Sequence, residues 1–347
     1  MSTESMTDQS GRMRVCILGA GGLGSVIGGY LAHSGVDVTL IGRPTHVEAI
    51  RRNGLRITGR LGEFRICQNL STVTTADAAD GHFDYMLLLV KSKDTESALE
   101  GAVGLRPRVD TVLSLQNDPL RTDKLGRWID PRKVIGAVTV EGGTLIGPGH
   151  VDNHLTSTTT AYFGELDGTE SIRAKRLATA FTNAGLNSAA VDNIMQVTWE
   201  KLTQVASASA WSISTLPAIR TLYFVDGIKI REGAEHFVQL TKELLSVYKG
   251  LGYEPQNFFA PFSRLKEIDS MAFEDAVQSS IGVGAYMQAN SMQSRTSMHD
   301  DLLRGRKMEA EEIFLPFIDK ASEMGLSIPT VTAVHRVATV LNHYLKN

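Results

Sequence analysis

The plainest chemical spacing in the chain is the run Gly19, Ala20, Gly21, Gly22, Leu23 and Gly24. This G-x-G-x-x-G is set directly after the apolar stretch Arg14 to Leu18 and directly before a helical stretch, Gly24 to His33. In that placement the first glycine permits a tight turn, the second lets the backbone approach a pyrophosphate, and the third lets helix and strand pack closely. The N-terminus of the following helix adds unpaired N–H groups and a partial positive charge. Such a combination is a cradle for a dinucleotide. At the end of the second apolar strand a carboxylate would accept hydrogen bonds from a ribose 2′-hydroxyl, but here the chain has Gly42-Arg43. A guanidinium there clamps an added phosphate, which a carboxylate would repel, so NADP(H) is the expected cofactor. Lys91 and Asn117 each follow a further apolar run, at the carboxyl edge of a parallel sheet, where doubly wound folds bind ligands.

These residues need a sheet and crossover helices to hold them. From Met13 to about Val191 short β-rich runs alternate with helical stretches, the pattern of βαβ units. Strands are expected at Arg14 to Leu18, Asp37 to Ile41, Tyr85 to Val90, Thr111 to Leu115 and Val134 to Val140, with antiparallel strands later, ending near Tyr162 to Glu165. Turns are expected at Gly59 to Gly62, Gly142 to Gly149 and Gly164 to Gly168. Beyond Asn193 the period changes to 3.6 residues, with a first helix running through Trp199, Leu202 and Trp211 and ending before Pro217. The expected fold is therefore α/β, a Rossmann-type domain over 13–191 followed by an all-helical domain over 192–347. The polar stretch 1–12 reads as a disordered leader.

Composition narrows the partners. The 347 residues are 42% hydrophobic, enough for a sizeable core, and the formal charge of -3 gives no reason to expect nucleic acid or an anionic membrane surface. Tyr85 to Val90 is far shorter than the roughly 20 residues that span a bilayer. Two cysteines, Cys16 and Cys67, without CxxC spacing fit a reducing, cytoplasmic compartment. His150 and His154 lie around a Pro-Gly turn and read as surface residues, so no metal site is expected.

Taken in order, several segments from Arg14 to about Pro329 resemble the ketopantoate reductase (2-dehydropantoate 2-reductase) family. They are the glycine loop, Arg43, Val90-Lys91, Leu115-Gln116-Asn117, Trp199-Glu200-Lys201-Leu202, Ser297-Met298, Gly305-Arg306 and Glu309. The resemblance implies a Rossmann-type domain joined to a helical domain like the C-terminal domain of 6-phosphogluconate dehydrogenase. It also implies reduction of a small-molecule 2-oxo acid by NADPH at the cleft between them, as in pantothenate biosynthesis. It makes Lys201 the general acid and Glu309 an active-site acid that contacts substrate, with Glu311 and Glu312 close enough to be confused with it. Ser297 then donates to the substrate carboxylate, Lys91 lies near the nicotinamide end or that carboxylate, and Asn117 bonds the nicotinamide ribose or the substrate. Lys201 shares a helix face with Val197, Val205 and Ala208, so partial desolvation would lower its pKa toward that of a working proton donor.

The chain also departs from the family. Two asparagines expected four and eight residues after the lysine are Val205 and Ser209, the latter kept as a substrate-binding candidate. Asp118 replaces the glycine that follows Asn117, Met308 replaces a threonine, and Phe314 replaces a further asparagine. A site lacking amides it was built around would lose roughly 1 to 3 kcal/mol per unmade bond to a hydroxylated substrate, so the pocket is expected to be more apolar. Three alternatives stay open: a reductase for a less polar carbonyl compound, a non-catalytic NADP(H)-binding redox sensor, and another two-domain dehydrogenase of the hydroxyacyl-CoA or opine kind. The absence of a His-centred motif weighs against the hydroxyacyl-CoA case. The oligomeric state is open, with a homodimer one possibility the helical domain raises.

Overall fold

The computed structural model describes residues 11–155, 158–217, 219–261 and 263–346. The chain divides into two compact units. One comprises Met1–Gln116 and Leu120–Ile194, and the other Asn117–Pro119 and Met195–Asn347.

In the first unit, branched and bulky side chains buried on both faces make central parallel strands. These are β1 (Arg14–Leu18) and β2 (Asp37–Ile41). The other strands are β3 (Leu55–Gly59), β4 (Phe64–Ile66), β5 (Leu70–Val73), β6 (Phe83–Leu88), β7 (Val109–Ser114), β8 (Gly136–Thr139), β9 (Gly142–Gly147), β10 (His150–Leu155), β11 (Ala161–Gly164) and β12 (Ser188–Ala190). Five of them form an all-parallel sheet of order β5-β2-β1-β6-β7. Strand order reverses beside β1, which places the ligand crevice at the carboxyl ends of β1 and β6. The helices of this unit are α1 (Gly22–His33), α2 (Pro44–Asn53), α3 (Thr95–Glu100), α4 (Arg121–Trp128) and α5 (Ile172–Asn183). A second sheet of order β4-β3-β10-β9 and a third of order β12-β11-β8 complete the unit. The second sheet contributes Leu55, Ile57 and Val151 to the core that also holds Val26, Ile27 and Tyr30 of α1, so this helix is buried nearly all round.

Strands β1 and β2 match their expected bounds. One glycine-rich segment departs from its expected turn. Gly142–Gly147 is strand β9 rather than a turn, because it pairs antiparallel with β10; only Pro148-Gly149 turns, with Gly149 at φ 71°. His150 is likewise a strand residue, half-buried, with Nε2 3.2 Å from Thr58 Oγ1. The expected surface position of the His154 side chain and most of the expected leader lie outside the described residues.

The second unit is helical: α6 (Ile194–Thr215), α7 (Phe224–Ile228), α8 (Arg231–Gly250), α9 (Leu265–Ser270), α10 (Phe273–Ala289), α11 (Ser297–Leu303), α12 (Ala310–Met324) and α13 (Pro329–Tyr344). Its core gathers Trp199, Leu202, Trp211, Leu244, Tyr248, Phe314 and Phe317. A buried carboxylate fixes one helix against another. Glu243 of α8 accepts bonds from Thr330 Oγ1 (2.6 Å) and from the backbone N–H groups of Thr330 (3.2 Å) and Val331 (3.0 Å), so it caps the exposed donors at the start of α13. Among the described residues no helix is long and apolar enough to cross a membrane.

Candidate active site

Each of the three G-x-G-x-x-G glycines meets a different constraint. Gly19 sits at φ +116°, and a Cβ there would lie 2.6 Å from the Leu89 carbonyl carbon and the Val90 nitrogen, at the end of β6. At Gly24 a Cβ would lie 2.1 Å from the Gly19 oxygen, so the return of α1 against β1 excludes any side chain. At Gly21 a Cβ would meet nothing within 4 Å. The open glycine is thus the middle one, where a pyrophosphate must come close to the backbone, while the other two are held by the protein's own packing. Gly21 is also the N-cap of α1, with no side-chain cap and no acidic residue in the first turn, which leaves the helix end to an anion. These features fit a bound dinucleotide.

The neighbouring loops are stitched to this one. Gly19 N and Ala20 N donate to Ile41 O (3.1 and 2.9 Å), Leu89 N to Leu18 O (2.8 Å), and Gly42 N to Val73 O (3.0 Å). Arg43 is exposed and forms the N-cap of α2, whose first turn again lacks an acidic residue. Lys91 is exposed just past β6. Gln116, the middle residue of the Leu115-Gln116-Asn117 segment, donates from Nε2 to Val90 O and to Thr95 Oγ1, both at 2.8 Å, and so ties the end of β7 to the loop that carries Lys91.

In the helical unit the Trp199-Glu200-Lys201-Leu202 segment separates into packing, anchoring and chemistry. Trp199 stacks edge-on against Phe317 at 5.3 Å, and Leu202 enters the same core. Glu200 is almost fully buried. Its Oε2 accepts from Gln256 N (2.7 Å) and Tyr248 OH (3.2 Å), and its Oε1 from Phe258 N (2.9 Å). Burial raises its pKa, and these bonds offset part of the effect. With its neighbours so committed, Lys201 is left half-buried on α6, and its Nζ donates to Asn117 Oδ1. Two residues singled out far apart in the sequence are thereby brought into direct contact.

Next in the chain after Asn117, Asp118 is buried; Glu309 is the half-buried N-cap residue of α12, and Glu312 is half-buried one turn later, whereas Glu311 is exposed. Burial raises the pKa of Glu312, and the charges of Glu309, Asp118 and Glu311 add to the effect. Two acids, Glu309 and Glu312, therefore remain on the sheltered side of α12. Ser297 is exposed at the first position of α11; the cap itself is Thr296, whose side chain accepts from His299 N. Ser209 is buried on α6, and its Oγ has no hydrogen-bond partner. Val205, one turn after Lys201, is half-buried.

Phe314 is fully buried in the helical core with Phe317, so a packing residue stands where the resemblance expects an asparagine. Sequence reasoning also passed over Glu141, His46 and the anchoring role of Glu200. Glu200 at least stood inside a recognised motif, and its position before Lys201 was the signal available.

Known proteins match the chain in sequence and in fold. Residues 15–168 match the family described as ketopantoate reductase PanE/ApbA, and residues 193–342 match its C-terminal domain. The 2-dehydropantoate 2-reductase of Pyrococcus horikoshii is 30% identical over 320 residues, covering 91% of this chain and 93% of that protein. The crystal structure of a PanE/ApbA family ketopantoate reductase from Ralstonia eutropha JMP134 superposes with a TM-score of 0.74 at 25% identity, covering 95% of this chain and 99% of that one. A D-mandelate dehydrogenase solved with NADH and anilino(oxo)acetate shares the fold, with a TM-score of 0.74 at 20% identity over 95% of this chain and 99% of that one. The chain belongs to the ketopantoate reductase family, and with it to the nicotinamide-dependent oxidoreductases that act on a CH–OH group.

Proposed function

We propose that the protein reduces a small 2-oxo acid of the 2-dehydropantoate kind to its 2-hydroxy acid, with NADPH as reductant and Lys201 as proton donor. The observation that carries this reading is the bond from Lys201 Nζ to Asn117 Oδ1. Bound NADPH supplies the hydride that reaches the carbonyl carbon. Donation of one ammonium hydrogen to Asn117 fixes the direction from which Nζ, a group with three donors, approaches a substrate oxygen. As negative charge develops on that oxygen, it takes a proton from Nζ, and the neutral amine regains one from water. Ser297 is assigned to the substrate carboxylate, and Glu309 to substrate positioning. Lys91 and Asn117 take the nicotinamide end of the cofactor, and Arg43 takes the 2′-phosphate, where its guanidinium is exposed at the start of α2.

Val205 favours a second form of the reading, in which the side chain of the 2-oxo acid is less polar than that of 2-dehydropantoate. An aliphatic residue one turn beyond Lys201 offers no hydrogen bond to a hydroxyl.

The test is a panel of 2-oxo acids, 2-dehydropantoate included, assayed by consumption of NADPH and of NADH. Turnover of at least one 2-oxo acid with NADPH, and faster than with NADH, is expected. With that substrate Lys201→Ala should lower kcat by about 10²-fold or more while NADPH still binds. A flat panel overturns the reductase reading, an unchanged kcat removes Lys201 from the chemistry, and faster turnover with NADH removes the phosphate role of Arg43.

A further inference from the structure

Backbone bonds hold the turn that carries Arg43 to β1 and β5, and one imidazole adds a side-chain link from it to α1. His46 lies three residues after Arg43 in the first turns of α2 and is 5% exposed. Its Nδ1 accepts a hydrogen bond from Gly149 N at 3.0 Å. A backbone amide only donates, so Nδ1 carries no proton and the ring hydrogen of the neutral form resides on Nε2. Nε2 lies 3.0 Å from Ser25 Oγ. Ser25 is fully buried and directly follows the last glycine of the dinucleotide loop. One ring thus joins the first turn of α1, the first turns of α2 and the turn between β9 and β10. Burial lowers the pKa of His46, which favours the neutral state that this bonding needs.

The same turn holds Arg43 by its backbone. His46 N and Val47 N both donate to Arg43 O at 3.1 Å. The position of the Arg43 Cα, and so the origin from which its side chain reaches, is set by a turn whose one side-chain hydrogen bond to the glycine-loop helix, among the described residues, is the His46–Ser25 bond. A loosened tether leaves the pyrophosphate cradle itself intact, because Gly19 and Ala20 are held by backbone bonds to Ile41 O, Gly19 packs against Leu89 and Val90, and Gly24 packs against Gly19.

We propose that His46 is a positioning residue for cofactor choice: by tying the Arg43 turn to the glycine-loop helix through Ser25, it sets the span between pyrophosphate cradle and guanidinium that suits a dinucleotide bearing a 2′-phosphate. The proposal rests on the reading of Arg43 as the phosphate ligand.

A double-mutant cycle on the full-length enzyme tests both and separates them. NADPH and NADH affinities are measured by fluorescence titration for the parent, Arg43→Ala, His46→Ala and the double variant. Arg43→Ala is expected to weaken NADPH selectively. His46→Ala should weaken NADPH by about 5- to 10-fold, the scale of one or two lost buried hydrogen bonds, with NADH changed by less than about twofold. In the Arg43→Ala background it should have no further effect on NADPH. Ser25→Ala deletes only the α1 end of the link and suits a helix, so it gives the same selective loss even where His46→Ala fails to fold. If Arg43→Ala leaves the NADPH:NADH ratio unchanged, the phosphate reading of Arg43 falls and the His46 role falls with it. If Arg43→Ala lowers the ratio but His46→Ala and Ser25→Ala weaken both cofactors equally, or add to Arg43→Ala, only the His46 role is overturned.

Discussion

A buried carboxyl group makes the sharpest prediction for a single residue. Glu141 is 7% exposed, and among the described residues no donor makes a well-formed hydrogen bond to either of its oxygens, the Asn153 amide standing only near them. Burial pushes its pKa up to about 7, and the Asn153 amide and the Arg60 guanidinium offset only part of that. Because the folded protein holds this proton more tightly than the unfolded chain, the proton stabilises the fold fully below the ordinary glutamate range, and the benefit is lost as pH rises through about 7. The full loss is on the order of 3 kcal/mol. Glu141→Gln should therefore leave stability at pH 5 nearly unchanged and raise it at pH 8, as read from urea midpoints at the two values; equal midpoint shifts at both would contradict a buried ionisation. Nothing in the sequence marked Glu141, since a lone glutamate beside glycines reads as a solvated loop residue. Lys201 and Asn117 were legible for the opposite reason, each standing in a segment whose neighbours have fixed structural tasks. His46 was illegible because its partners, Ser25 and Gly149, are distant in sequence and one of them offers only a backbone group.

Among the elements, the strand-loop-helix unit of β1 and α1 separates folding from binding within six residues. Gly24→Ala places a methyl group 2.1 Å from a backbone oxygen that cannot move aside, whereas Gly21→Ala adds one to open space. The first should destabilise the protein by about 1 to 3 kcal/mol and also impair dinucleotide binding. The second should leave the thermal midpoint nearly unchanged and still weaken NADPH at least about tenfold, by occupying the approach to the pyrophosphate. Calorimetry paired with titration of the two variants checks this, and a drop in the midpoint of Gly21→Ala would show that the loop is packed differently. Strands β1 and β2 were readable to the residue because each is a short run of buried branched side chains bounded by turn-formers. Strands β3, β4, β9 and β10 were not. Polar and glycine residues fill their exposed faces, so neither a continuous apolar run nor a strict alternation announces them.

At the scale of the whole molecule, the change from a β-rich half to a helical half near residue 193 was plain in the period of the apolar residues. What periodicity could not show is that Asn117–Pro119 group with the helical unit, where Asn117 meets Lys201, 84 residues away in sequence. The two cysteines give a simple check on the packing as a whole. Cys16 lies inside β1 with no exposed surface, and burial pushes its thiol up to about 12, while Cys67 is exposed. A thiol reagent at neutral pH should modify one cysteine per native chain rapidly and the second only on unfolding. Two fast-reacting thiols in the native protein would mean that the central strand opens readily.

The short segment Asn117–Pro119 also bears on how such a protein can be inherited. A recombination event that exchanged everything after residue 193 would deliver a complete set of helices, yet it would carry the lysine away from the asparagine it evolved beside, since the two are encoded on opposite sides of the breakpoint. On the proposed reading of Lys201, the two encoded segments would have to act as one catalyst. Residues around 117 and residues around 201 are therefore expected to drift together in lineages that change substrate, and a chimera should regain activity only when both segments come from one parent.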